Sequence, residues 1–168
     1  MDTRAARGVW FCSRVNLATI NNRRSGLSHI GSEGTVASIH REVLIGARPE
    51  AVWDALRDIG AIHQRLAPGF VTDVRLEEGA RIVTFGNGLV ARELIVDVDD
   101  QARRLVWSVV GGQMTHHNAS AQVFADGDGG SRFVWIADLL PHEIAPAIAG
   151  MIDKGLVVIK QTLEGAAQ

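Results

Sequence analysis

The chain has 168 residues, with 17 Lys or Arg against 19 Asp or Glu and a formal net charge of −2. That length fits one domain; the 46% hydrophobic content excludes disorder over the whole chain, and the near-neutral charge leaves no basic footprint for nucleic acid. No run approaches the roughly 18 apolar residues that span a bilayer, which argues against membrane insertion, while Cys12, the only cysteine, excludes an internal disulfide and suits a reducing cytoplasm.

Residues 1–35 carry five arginines against Asp2 and Glu33, whereas residues 36–168 are net acidic. Apolar runs such as Val9-Trp10-Phe11 are too short for a secretory signal, and Asn21-Asn22-Arg23-Arg24-Ser25-Gly26 reads as a linker. Residues 1–35 are expected to form a disordered extension; an interaction arm built on Trp10 and Phe11 is the other reading. The folded domain is expected over residues 36–165.

Residues 36–46 are β-branched and apolar and predict a first strand. Pro49 and Glu50 then open a helix over 49–57, with Val52, Leu56 and Ile59 on one face. Gly60 breaks it, and a short second helix over 62–66 ends at Pro68-Gly69. Strands over 70–76 and 81–85 follow. Asn87-Gly88 is a strong signal for a two-residue hairpin leading into a strand over 89–98. Further strands occupy 104–110, 115–125 and 132–140, separated by Asp99-Asp100, Gly111-Gly112 and the glycine-rich 126–130 turn. Residues 142–164 are helical by period, with Ile144, Ile148, Met151, Ile152, Gly155 and Ile159 on one stripe. Successive hairpins with no βα alternation argue against a doubly wound sheet. The pattern predicts an α+β domain, a curved antiparallel sheet of about seven strands wrapped around a long C-terminal helix.

Several segments resemble a known group: Val52-Trp53-Asp54-Ala55-Leu56-Arg57-Asp58, the Arg92-Glu93-Leu94 strand, Trp107-Ser108-Val109-Val110-Gly111-Gly112 and His117-Asn118. They are similar to the polyketide cyclase/dehydrase group of the START-like superfamily, the helix-grip fold shared with the birch pollen allergen and plant abscisic-acid receptors. The resemblance implies a cavity between sheet and helix that takes a largely apolar molecule. It places Glu93 at the position of the receptors' cavity glutamate and Trp107 at that of a pocket aromatic. Their gate and latch motifs are replaced by Asn87-Gly88-Leu89-Val90 and Met114-Thr115-His116, and their pocket tyrosine by Ala119. Hormone-type gating is therefore not expected.

The residues themselves support modest chemistry. His116 and His117 are adjacent on a strand and point to opposite faces, so they cannot share one ion, and no metal or cofactor is expected. The phase that puts Ala119, Ala121 and Val123 inward puts His117 inward too. On the strand over 89–98 two arguments conflict: alternation with Leu94, Val96 and Val98 places Arg92 inward, and the resemblance places Glu93 there. A β-bulge would reconcile them. Trp53, Trp107 and Trp135 serve as core or as pocket wall. The expected lining is Trp53, Arg92, Glu93, Trp107, His117, Asn118, Trp135, Ile148 and Ile152. No nucleophile elbow, Walker loop or dinucleotide fingerprint occurs. The function expected is binding of a small hydrophobic or amphipathic molecule. The alternatives are a cyclase/dehydratase-type enzyme with Glu93 and His117 as general acid and base, and a protein-interaction module; a homodimer is left open.

Overall fold

The computed structural model describes residues 36–127 and 129–166; the expected N-terminal extension lies outside the described residues. Seven strands form one antiparallel sheet: β1 (Ala37–Ile45), β2 (Val71–Glu77), β3 (Ala80–Phe85), β4 (Val90–Asp99), β5 (Arg104–Val110), β6 (His116–Asp126) and β7 (Gly130–Leu140). Their order is β1-β7-β6-β5-β4-β3-β2, so every neighbour after β2 is a sequential hairpin, and β1 closes on β7. Two short helices, α1 (Pro49–Arg57) and α2 (Ile62–Arg65), follow β1, and the long α3 (Ala145–Gly165) ends the fold. The expected single helix from residue 142 is instead a 3₁₀ turn, His142–Ile144, followed by α3 with Pro146 in its first turn. Proline supplies no N–H and has its φ pre-set, so it is accommodated at a helix start.

The core lies between the concave face and the helices. Val52 and Leu56 from α1 meet Phe133 and Leu105 from the sheet and Leu156, Ile159 and Leu163 from α3. At one end the packing is sealed by hydrogen bonds. The Gly46 amide donates to Glu164 Oε1 at 2.8 Å, Lys160 Nζ donates to the Leu44 carbonyl at 2.6 Å, and Ser131 Oγ donates to the Ala47 carbonyl at 2.5 Å. Trp53, which the sequence suggested for the pocket, is instead core: it is buried, and its Nε1 donates to Asp100 Oδ1 at 2.9 Å, fastening α1 to the β4–β5 turn.

The β3–β4 hairpin decides which side chains face inward. A two-residue Asn87-Gly88 loop would set Gly86 opposite Leu89 and Ile82 opposite Glu93. The chain uses a three-residue loop, Gly86-Asn87-Gly88, with the Phe85 amide bonded to the Leu89 carbonyl and Gly88 at φ +84°, the left-handed position that such loops require. Gly86 is held in place because its amide donates to the Phe70 carbonyl at 2.9 Å. A Cβ there would collide with the Gly69 carbonyl oxygen. The resulting register pairs Arg81 with Glu93. A one-residue change of register exchanges the two faces of a strand. Glu93 is therefore buried and Arg92 lies outside, reaching Glu77 at 3.2 Å. The pairing of β4 with β5 shifts between Ile95 and Asp97, so the inward phase changes there: Glu93 and Ile95 stand opposite Val109 and Trp107, whereas after the shift it is Val98 that stands opposite the buried Leu105. That phase change is the physical reason strict alternation misplaced Arg92.

Candidate functional site

A pocket of about 500 Å³ opens between the concave sheet and the N-terminal part of α3. It exists because two sets of small residues leave the space unfilled. Ala119, Ala121 and Ala137 stand at inward positions in the middle of the sheet, each about 1% exposed. The start of α3 reads Ala145-Pro146-Ala147-Ile148-Ala149-Gly150, mostly side chains too short to reach the sheet. Larger residues form the walls: Trp107 and Trp135 meet edge-to-face at 5.5 Å across the alanines of β6, and Phe70 packs edge-on to Phe85 at 5.5 Å. Such aromatic pairs hold their shape better than flexible aliphatic chains would. Leu89, Val90 and Val110 are exposed at the mouth, beside Gly111, Gly112, Gln113 and Met114 of the β5–β6 loop.

Three ionisable side chains lie in this wall. Arg81 Nε donates to Glu93 Oε2 at 2.7 Å, with only 5% and 7% of the two side chains exposed. Arg81 Nη1 also donates to the Ile59 carbonyl at 3.3 Å. A buried pair of this kind costs desolvation, so it holds only with good geometry and further hydrogen bonds. The third group is His117. Paired residues of β5 and β6 run from Arg104↔Gln122 to Trp107↔Ala119; beyond that, the imidazole supplies the next acceptor. The Val109 amide donates to His117 Nδ1 at 3.0 Å, and Ser108 Oγ donates to the His117 carbonyl at 2.5 Å. An Nδ1 that accepts leaves the hydrogen on Nε2 in the neutral ring. Burial, and secondarily the adjacent His116, push the imidazole from 6.5 down to about 4, against an opposing pull from Asp138. His117 is thus a neutral donor at physiological pH, with its accepting nitrogen already engaged.

The expected site residues divide accordingly. Glu93, Trp107, His117, Trp135, Ile148 and Ile152 line the pocket together. Trp53, Arg92 and Asn118 do not. Asn118 follows His117 on β6 and so falls on the opposite face, paired in register with Asp138. Arg81 was missed. Its signal was available only through the hairpin register, because no periodicity in residues 81–85 distinguishes an inward arginine from an exposed one. Phe70, at the chain's entry to β2, was also missed; its ring sits where a Cβ on Gly155 of α3 would approach to 3.0 Å.

Comparison with known proteins agrees with this architecture. Residues 36–164 match the family model described as polyketide cyclase / dehydrase and lipid transport. No curated protein is a significant match. Among solved structures, an uncharacterised protein from Bacillus thuringiensis has 17% identity and a TM-score of 0.69, covering 76% of this chain and 98% of that one. A Thermobifida fusca protein solved by NMR has 27% identity and a TM-score of 0.62, covering 76% and 90%. A norcoclaurine synthase point mutant from Thalictrum flavum, in complex with a transition-state analogue, has 17% identity and a TM-score of 0.60, covering 80% and 98%.

Proposed function

We propose that this chain, which belongs to the polyketide cyclase / dehydrase and lipid transport family, binds a small hydrophobic or amphipathic molecule in the pocket between its sheet and α3. The observation that carries the reading is the pocket itself, about 500 Å³ and lined by apolar and aromatic side chains with a few polar groups. That size and composition are typical of small-molecule sites. Affinity comes from burial of apolar ligand surface against Trp107, Trp135, Ile148 and Ile152; orientation comes from Arg81, Glu93 and His117. A polyketide-like chain or a lipid suits such walls equally well. In this reading the binding domain is residues 36–165 and its compartment the cytoplasm, which a lone cysteine suits.

The acid/base enzyme reading has less support from the same geometry. A proton shuttle at neutral pH needs a group poised near that pH. His117 lies well below it, with Nδ1 occupied, and Glu93 is committed to Arg81. An interaction module would be better served by a filled core than by this pocket. No helix among the described residues is long and apolar enough to cross a membrane, so a lipid ligand would be taken up inside the fold rather than by a spanning segment.

Native mass spectrometry of freshly purified protein, together with titration of the neutral dye Nile red, tests the proposal. A co-purified small molecule released on denaturation, or saturable dye binding weakened by Trp107→Ala and unaffected by Trp10→Ala, is the expected result. The absence of both a bound mass and saturable dye binding would refute it.

A further inference from the structure

The pocket's polar groups also restrict what its ligand carries, on the reading above that the pocket is a binding site. Among the lining residues only Arg81 and Glu93 are charged, and they neutralise each other. His117 contributes a donor. Among the ionisable side chains of the lining, three atoms remain after the contacts within the protein are counted: Arg81 Nη2, Glu93 Oε1 and His117 Nε2. None has a partner among the described residues, and none is sealed from the cavity, since the one enclosed and unpartnered side-chain atom among them is His63 Nδ1. Arginine offers five donors and a carboxylate about four acceptor sites, so both members of the pair have capacity to spare. Their spacing follows from the sheet. Arg81 and Glu93 are direct cross-strand partners. Glu93 faces Val109 on β5, whose amide meets His117 on β6. His117 is therefore two strands beyond Glu93, about 10 Å along the sheet.

We infer that the pocket selects an uncharged amphipathic molecule bearing a hydroxyl group that seats on the Arg81–Glu93 pair and a second acceptor oxygen that reaches His117. A hydroxyl accepts from Nη2–H and donates to Oε1, completing both groups without altering their charge balance. A carboxylate would meet an arginine already neutralised and the negative charge of Glu93; an ammonium would meet Arg81. Either leaves one uncompensated charge among Val83, Phe85, Trp107 and Ile148, which costs far more than an unmade hydrogen bond. An ether satisfies the arginine but leaves the carboxylate without its donor.

Displacement of Nile red from the full chain at about pH 7.5, where fatty acids and amines are ionised, tests this with 1-decanol, its methyl ether, decanoate and decylammonium. The alcohol is expected to bind at least about tenfold more tightly than the ether, although the ether is the more apolar of the two. It is expected to exceed both ions by more. In Glu93→Gln the arginine loses its counter-charge, and decanoate should gain about tenfold or more relative to decanol. Equal affinity for alcohol and ether, decanoate binding as tightly as decanol, or no gain in folded Glu93→Gln overturns the inference. If Glu93→Gln does not fold, the alcohol-to-ether ratio in the unaltered protein decides alone. Dye binding with flat ratios removes this inference and leaves the proposed function standing; absence of both dye binding and a co-purified molecule removes both, and a co-purified molecule that is an ion or lacks a hydroxyl overturns this inference alone.

Discussion

The two halves of α3 meet the same concave sheet and behave differently. From Ile152 onward the helix buries Ile152, Gly155, Leu156, Ile159 and Leu163, of which Ile152 and Ile159 also line the pocket, and its end is tied to β1 through Lys160, Glu164 and the backbone at Leu44 and Gly46. Before Ile152 it offers mainly alanine and glycine, with Ile148 and Met151 half-buried and facing the pocket. The difference teaches that stability and cavity are separable along one helix: long side chains close the fold at one end, and short ones keep it open at the other. The charged groups divide in the same way. Pairs such as Arg103–Glu50, at 2.5 Å, lie on the surface with 33% and 65% of their side chains exposed, whereas Arg81–Glu93 lies in the pocket wall.

Four substitutions or conditions would break or sharpen this contrast. The largest effect is expected from Glu93→Leu, which leaves the Arg81 charge buried without its partner and should lower unfolding free energy by about 3–5 kcal/mol in urea titration. A loss below about 1 kcal/mol would mean that the pair is hydrated rather than buried. Next is Leu156→Ala in the sealed half of α3, expected to cost about 2–4 kcal/mol while Nile red affinity stays within about twofold. Third is acid. His117 has its folded-state value below that of the unfolded chain, so the unfolded state binds the proton first. The stabilising contribution is complete above about pH 6.5 and is lost as pH falls toward 4. Between pH 7.5 and 5 this amounts to at most about 2 kcal/mol, less as pocket water screens the ring. The pH dependence over that interval should shrink in His117→Asn. The smallest stability effect is expected from Ile148→Ala in the open half, about 1 kcal/mol or less, yet here dye binding should weaken severalfold. If Ile148→Ala and Leu156→Ala change stability and dye affinity in the same proportion, the division of α3 fails.

Much of the fold was legible in the chain. Pro49, Pro141 and the glycine-rich turns mark where elements begin and end, and local punctuation of this kind depends on backbone conformations that only certain residues adopt. The inward phase of β6 was readable from Ala119, Ala121 and Val123, and it carried His117 with it. The β3–β4 pair resisted such reading. Asn87-Gly88 fits a two-residue loop as well as the last two positions of the three-residue loop observed. The choice turns on the contact of Gly86 with Gly69 and Phe70, 16 and more residues earlier in the chain.

The sequence by itself determined the antiparallel order of elements and the long closing helix, because both rest on short-range periodicity and turn chemistry. Only the tertiary structure decided which charges stand in the pocket. The pairing of Arg81 with Glu93 depends on a one-residue difference in hairpin register, and the exclusion of Arg92 follows from it. The role of His117 likewise depends on the Val109 amide reaching it from the neighbouring strand. Register and cross-strand contact are relations between distant segments, and a side chain's face, partner and protonation follow from those relations rather than from its own position in the chain.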